Sequence, residues 1–428
     1  MAPYKANSPE EVVASIESNE YVWVHSMGAT PVRLLEGIAA HARDKQNITL
    51  MMLHTEGAEA VTGPELEGHI RLRCFFVGAP TRQIVNEGRA DYIPMFLSEI
   101  PKYFRAGEQR VDTVLLQVSP PDAHGMCTLG ISVEAAKAAC DVARKIIAHI
   151  NPSMPRTHGD AFIPYNSFHA VYEEDIPMRE FPAHKQSDTT LAIGERVASL
   201  IRDGDCLQMG IGAIPDAALK CLTTHKDLGI HTEMFAEGLL DLVERGVITG
   251  RRKKIHPGKI VTSFAMGTRR LYDFIDDNPE VAFLDVEYIN DSANIRRNPN
   301  VIAINSALQV DLSGQVCADS IGTRIYSGVG GQMDFIRGAT LSPGGRAIIA
   351  LPSTAADGKV SRIATQLIPG SGVVTTRAHV QYLVTEYGIA NLKGRSLRER
   401  AKELIRIAHP NFREDLERQA REFWGLKM

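Results

Sequence analysis

Two stretches of this chain repeat one local pattern, and that repetition constrains the fold more than any other feature. YVWVHSMGATPVRLLEGIAAHA begins at Tyr21, and DCLQMGIGAIPDAALKCLTTHK begins at Asp205. Each opens with a short apolar run, passes through Gly-Ala-x-Pro at Gly28 or Gly212, and continues with helical apolar spacing. Short Val- and Leu-rich runs ahead of glycine read as strands, and Pro31 and Pro215 suit a first helical turn. A second pair follows in the same order: LHTEGAEA at 53–60 and IHTEMFAEG at 230–238. The glycine pair is displaced by 184 positions and the His-Thr-Glu pair by 177. Shared order at nearly equal displacement predicts an internal duplication.

A chain of 428 residues exceeds the usual single domain. The polar, proline-containing stretch EEDIPMREFPAHKQSD, residues 173–188, reads as a linker. The expected division is therefore residues 1–185 and 186–428. TTLAIGERVASLIRDGD reads as a helix leading into the second part. DTVLLQVS (112–119), KIVTSFA (259–265) and RAIIALP (346–352) read as strands, and VEAAKAACDVARKI (133–146) has a helical period. This alternation predicts two similar open α/β domains with mainly parallel sheets, and ligand sites at the strand C-terminal ends. Ser8-Pro9-Glu10-Glu11 marks a helix start near the N-terminus. Ser396-Leu-Arg-Glu399 and Asn411-Phe-Arg-Glu414 resemble capping boxes, so two helices are expected near the end.

The chain is 44% hydrophobic and 23% charged, with formal net charge −4 and no long basic run. Nucleic acid and anionic membrane are poor partners for that balance. The one basic cluster, Arg251-Arg252-Lys253-Lys254, reads as a solvated turn. No uninterrupted apolar stretch has membrane-spanning length, and the N-terminus lacks a signal-peptide core, so a cytoplasmic protein is expected. The six cysteines form no CxxC and no metal-ligand spacing; most lie in apolar contexts and read as buried thiols in a reducing compartment, with no metal site.

Gly210-Ile211-Gly212 looks like the start of a dinucleotide fingerprint, but Pro215 stands where the third glycine is needed. What remains is a strand-end turn whose backbone N–H groups, beside a helix start, can hold negative charge. The loop YSGVGGQMDF (326–335) is richer. Gly328, Gly330 and Gly331 permit unusual backbone conformations and close ligand approach. His124, in SPPDAHGMCTLG, is either a base or an orienting loop residue. Glu233 lies among Ile230, Met234 and Phe235, and a partly buried carboxylate there is costly unless the site uses or hydrogen-bonds it. Glu237 reads equally well as a surface partner.

Together, LQMGIGAIPDA (207–217), GIHTEMFAEG (229–238), YSGVGGQMDFIRGA (326–339) and VTEYGIANLKGRSLRERA (384–401) resemble the acetyl-CoA hydrolase/transferase family. The nearest branch is that of 4-hydroxybutyrate and butyryl-CoA:acetate CoA-transferases, and VSPPDAHGMCTLG (118–130) fits the N-terminal half. The similarity spans essentially the whole chain. It implies transfer of coenzyme A between an acyl-CoA and a free carboxylate, with Glu233 as the nucleophile. It leaves Glu56, in the first His-Thr-Glu, without assigned chemistry. A carboxylate attacking a thioester gives an acyl-glutamyl anhydride, then a glutamyl-CoA thioester, and needs no general base. Candidate oxyanion donors are the N–H groups of Ile211 and Gly331. Asn290, in YIND, resembles the family's asparagine that holds the glutamate.

Gly210, Gly212, Gly328, Gly330 and Gln332 are the candidate coenzyme A contacts. Lys359 and Arg362 are candidates for its phosphates, by charge and spacing only. Coenzyme A is then a substrate, with no tightly bound cofactor. The partners are acyl-CoA and a small carboxylate, and a homodimer or higher homo-oligomer is expected. MFAEG stands where MFSDG is expected of the 4-hydroxybutyrate branch, so the acyl group stays open. Itaconate or succinate would require an additional cation in the acyl pocket. An acyl-CoA hydrolase and a noncatalytic CoA-ester binder are the alternatives.

Overall fold

A computed structural model describes residues 2–210 and 212–425. The chain forms two compact units. The first comprises Met1–Pro182, Val261–Ile289 and Ile325–Gly330; the second comprises Ala183–Ile260, Asn290–Arg324 and Gly331–Met428. The units are thus not two contiguous halves. The chain leaves the first after Pro182, inside the expected linker, and returns to it twice.

The first unit is built on an eight-stranded sheet. Its strands are β1 (Tyr4–Lys5), β2 (Tyr21–Val24), β3 (Ile48–Met52), β4 (Ile70–Cys74), β5 (Ala90–Tyr92), β6 (Thr113–Val118), β7 (Lys145–Ile150) and β8 (Ala170–Glu173). Their order is β1-β8-β7-β6-β2-β3-β4-β5, and all pairs are parallel. Every residue of β6 is buried, as expected of a parallel strand covered on both faces. Alternation sends Val22 and Val24 into one core with Leu50, Leu72 and Leu34, Leu35, Ile38 of helix α1 (Val32–His41). Trp23 points oppositely, with ring centroids 6.1 Å from Phe75 and 5.2 Å from Phe104.

The second unit repeats that plan. Its sheet comprises β9 (Cys206–Met209), β10 (Gly229–Ile230), β11 (Val301–Ser306), β12 (Arg346–Ala350), β13 (Tyr382–Thr385) and β14 (Gly388–Asn391), in the order β10-β9-β11-β12-β13-β14. All pairs are parallel except β13–β14. The run β3-β2-β6-β7-β8 in one sheet matches β10-β9-β11-β12-β13 in the other, strand by strand in chain order. The duplication read from Gly-Ala-x-Pro is therefore also a duplication of topology. Helix α2 (Ala213–Lys220) follows β9 as α1 follows β2, and α3 (Glu237–Glu244) follows the second His-Thr-Glu. Three further helices matter below: α4 (Gln332–Leu341), and the terminal pair α5 (Leu397–Ile407) and α6 (Pro410–Trp424).

Several local expectations differ from the structure. The helical reading of 133–146 shrinks to Ala136–Val142, because Glu134 sits at φ +22 and the chain is already in β7 by Lys145. The stretch 259–265 is broken into two short strands, Ile260–Thr262 and Phe264–Met266. Ser396 and Glu399 do form a reciprocal capping box. Asn411 does not start a helix; His409 caps α6 instead, its ring accepting from the Asn411 N–H at 3.3 Å. The basic turn 251–254 is not wholly solvated. Lys253 is 5% exposed, its ammonium donating to the carbonyls of Ile230 and Lys259 at 2.7 Å each. No helix among the described residues is long and apolar enough to cross a membrane.

Candidate active site

The candidate site of the second unit begins at the end of β10. That strand has two residues, but pairing with β9 continues beyond it: the His231 N–H donates to Leu207 O at 3.1 Å. The Thr232 hydroxyl then takes the Met209 N–H at 3.3 Å and donates back to Met209 O at 3.4 Å. A buried hydroxyl thus replaces the next rung of the ladder, and Glu233 leaves the sheet at its C-terminal edge. Lys253 secures the preceding residue through Ile230 O.

Glu233 is half-buried. Asn290, 1% exposed, donates from Nδ2 to Glu233 Oε2 at 2.9 Å. Burial pushes the Glu233 carboxyl up to about 6, against the opposing pull of that hydrogen bond. The group is therefore mainly ionised at neutral pH while remaining more basic than a solvated glutamate. Behind it stands Gly331, which precedes α4. A Cβ built on Gly331 would collide with Glu233 Oε2 and Asn290 Nδ2. Gly331 has negative φ, so its requirement for glycine is one of space rather than of backbone conformation. The same Asn290 Nδ2 donates to Asp334 Oδ2 at 3.2 Å, from the first turn of α4. Sequence reasoning missed Asp334, because an acidic residue in a first helical turn reads as a dipole partner.

The first His-Thr-Glu has the same backbone setting and different electrostatics. The Met27 N–H donates to His54 O at 2.7 Å, tying this copy to its own glycine turn. Glu56 is held by His54 Nε2 at 2.7 Å and Arg179 at 3.3 Å. His54, then Arg179, keep its carboxyl below the ordinary glutamate value despite burial. One copy thus carries a carboxylate made more basic by burial, the other a carboxylate hydrogen-bonded to His54 and paired with Arg179.

The remaining candidates divide clearly. Ile211 lies outside the described residues. The Gly210 N–H is spent on Ile304 O at 2.9 Å, so it is a sheet donor. Gly212 precedes α2 at φ +127, where only glycine is relaxed. Gly328 and Gly330 belong to the first unit; a Cβ on Gly328 would strike Phe76, and Gly330 has φ +56. Gln332 donates to Ser306 O at 2.7 Å and accepts from Thr375 at 3.2 Å, so its amide braces the second unit. Arg362 donates to Ala307 O at 3.2 Å and is half-buried, while Lys359 is exposed on a turn. Of this pair, only Lys359 presents a solvated cation. His124 sits on an exposed turn fixed by Asp122, just ahead of the short strand Met126–Thr128. Among the described residues, no cluster of three or more His, Cys, Asp or Glu is placed to hold a metal.

Comparison with known proteins places the chain among the CoA-transferases. It belongs to the acetyl-CoA hydrolase/transferase family: the family's N-terminal domain matches residues 2–181 and its C-terminal domain residues 267–420. It is 48% identical over 413 residues to a 4-hydroxybutyrate coenzyme A transferase of Clostridium kluyveri, covering 96% of each chain. It is 45% identical to a succinyl-CoA:acetate/propanoyl-CoA:succinate CoA transferase of Fasciola hepatica, covering 98% of this chain and 88% of that one. The crystal structure of RipA from Yersinia pestis superposes with TM-score 0.93 at 37% identity, covering 98% of both chains.

Proposed function

We propose that this enzyme moves coenzyme A from a short-chain acyl-CoA to a free carboxylate by ping-pong chemistry on Glu233. The observation that carries the reading is the half-buried Glu233 carboxylate, oriented by Asn290 and set against the bare backbone of Gly331. Glu233 attacks the thioester carbonyl and expels CoA thiolate, leaving an acyl-glutamyl anhydride. The thiolate attacks the glutamyl carbonyl and expels the acid, leaving a glutamyl-CoA thioester. An incoming carboxylate reverses both steps. Each attack passes through an oxyanion, for which the Gly331 N–H is the described candidate donor. A carboxylate with pKa near 6 is ionised at pH 7 and needs no base to deprotonate it. Exclusion of water protects the anhydride.

Acetate, butyrate and 4-hydroxybutyrate are the substrates this reading favours, consistent with the 4-hydroxybutyrate enzyme among its relatives. A dicarboxylate is the second reading, favoured by the succinate-using relative. Initial rates with butyryl-CoA as donor and acetate or succinate as acceptor test both. Parallel double-reciprocal lines with one acid, and no CoA release without acceptor, support transfer and identify the acid. CoA release independent of any acceptor makes the protein a hydrolase. Binding of acyl-CoA without turnover makes it a noncatalytic binder.

A further inference from the structure

The Asn290 amide has two N–H bonds, and both point at carboxylates: Glu233 at 2.9 Å and Asp334 at 3.2 Å. Its own oxygen, Oδ1, is buried and accepts no hydrogen bond. That is an unusual use of a primary amide, since a buried acceptor normally finds a donor. The two carboxylates explain it. Turning the amide over would point Oδ1 at two anionic oxygens and forfeit two charge-assisted hydrogen bonds. The orientation with Nδ2 inward is thereby selected, and the orphaned Oδ1 is its cost.

Glu233 cannot provide that selection throughout a covalent cycle. Once acylated, or esterified by CoA, it has lost its negative charge. Asp334 takes no covalent part in that cycle, and it stands in the first turn of a ten-residue helix whose N-terminal dipole favours a carboxylate. It is 9% exposed and lies three residues after Gly331, so one helix start supplies both the bare backbone and the carboxylate.

We propose that Asp334 is a positioning residue, holding the Asn290 amide with its N–H bonds toward Glu233 while Glu233 is covalently occupied. This rests on Glu233 being the nucleophile. Asp334 accepts from Asn290 Nδ2 at 3.2 Å and acts through that amide.

A double-mutant cycle tests it, with N290A, D334A, the double variant and D334N, each checked for a native thermal transition. The expected losses in kcat are about 10–10² for N290A and about 10-fold for D334A, with KM for acyl-CoA little changed. The double variant should fall no further than N290A alone, because removing the clamp is silent once the amide is gone. D334N keeps an acceptor oxygen and should recover part of the rate, which also secures the test if D334A fails to fold. The acidic limb of the pH–kcat profile, which reports Glu233, should move upward in N290A, where the hydrogen bond that favours the ionised carboxylate is gone. Multiplicative losses in the double variant, or a D334A rate equal to wild type, would overturn the role of Asp334. Borohydride reduction of the wild-type covalent intermediate is run alongside. A labelled Glu233 with multiplicative losses defeats only this proposal, whereas an unlabelled Glu233 defeats the nucleophile assignment beneath it.

Discussion

At the scale of single residues, the two His-Thr-Glu motifs show how identical letters acquire different chemistry. Glu56 is hydrogen-bonded to His54 and paired with Arg179, so its lone pairs are committed and its basicity reduced. E56A is accordingly expected to retain appreciable turnover; complete loss in a folded variant would contradict this. Glu233 has the opposite setting and imposes a measurable cost on the fold. Its folded pKa, about 6, lies above the unfolded value near 4.5. Stability from such a group is fully present below the unfolded value and is lost as pH rises through about 6. E233Q should abolish transfer yet raise stability at pH 8 by about 2 kcal/mol, with no gain at pH 4, as read by denaturant unfolding at the two values. A variant less stable than wild type at pH 8 would show that the carboxylate is not strained there. G331A places a methyl group on Glu233 and Asn290. Its kcat should fall by about 10²-fold or more, with an unchanged circular dichroism spectrum. A G331A rate near wild type would mean that the glycine is dispensable.

At the scale of elements, the duplicated strand–glycine turn–helix unit was legible in sequence because glycine, proline and an apolar run each carry a local physical meaning. The glutamate was legible as a carboxylate among apolar neighbours. Its surroundings were harder to read: Asn290 was reached only through family resemblance, and Asp334, which meets Asn290, not at all, since both lie far along the chain from Glu233. Lys253 was misread for a related reason. A run of four basic residues looks solvated, and composition cannot say which member turns inward. Its ammonium satisfies Ile230 O, three residues before Glu233, and Lys259 O. K253M should leave both carbonyls without that donor and lower stability by about 2–5 kcal/mol in denaturant melts, with kcat falling also. A K253M protein as stable as wild type would restore the reading of a surface turn.

At the scale of the whole molecule, the sequence displays a duplication but conceals that the first unit is discontinuous. Segments 261–289 and 325–330 belong to it. They supply the buried Phe264, Tyr272, Val281 and Phe283. Residues Val281–Phe283 pair with His158–Gly159, and Ala265 donates to Ile131 O at 2.8 Å. A fragment of residues 1–182 keeps the eight strands but loses this cover. It should show no cooperative thermal transition, whereas a sharp calorimetric transition in that fragment would mean the returning segments are accessory. No length or composition argument reveals such a return. It depends on pairings formed across more than a hundred residues of intervening chain.

The most direct test of the central claim is a covalent trap. The protein is incubated with butyryl-CoA and no acceptor acid, reduced with borohydride, digested and mapped by mass. The account predicts reduction confined to Glu233, because a glutamyl-CoA thioester is reduced by borohydride while a free carboxylate is not. Consumption of butyryl-CoA with Glu233 unmodified would contradict it.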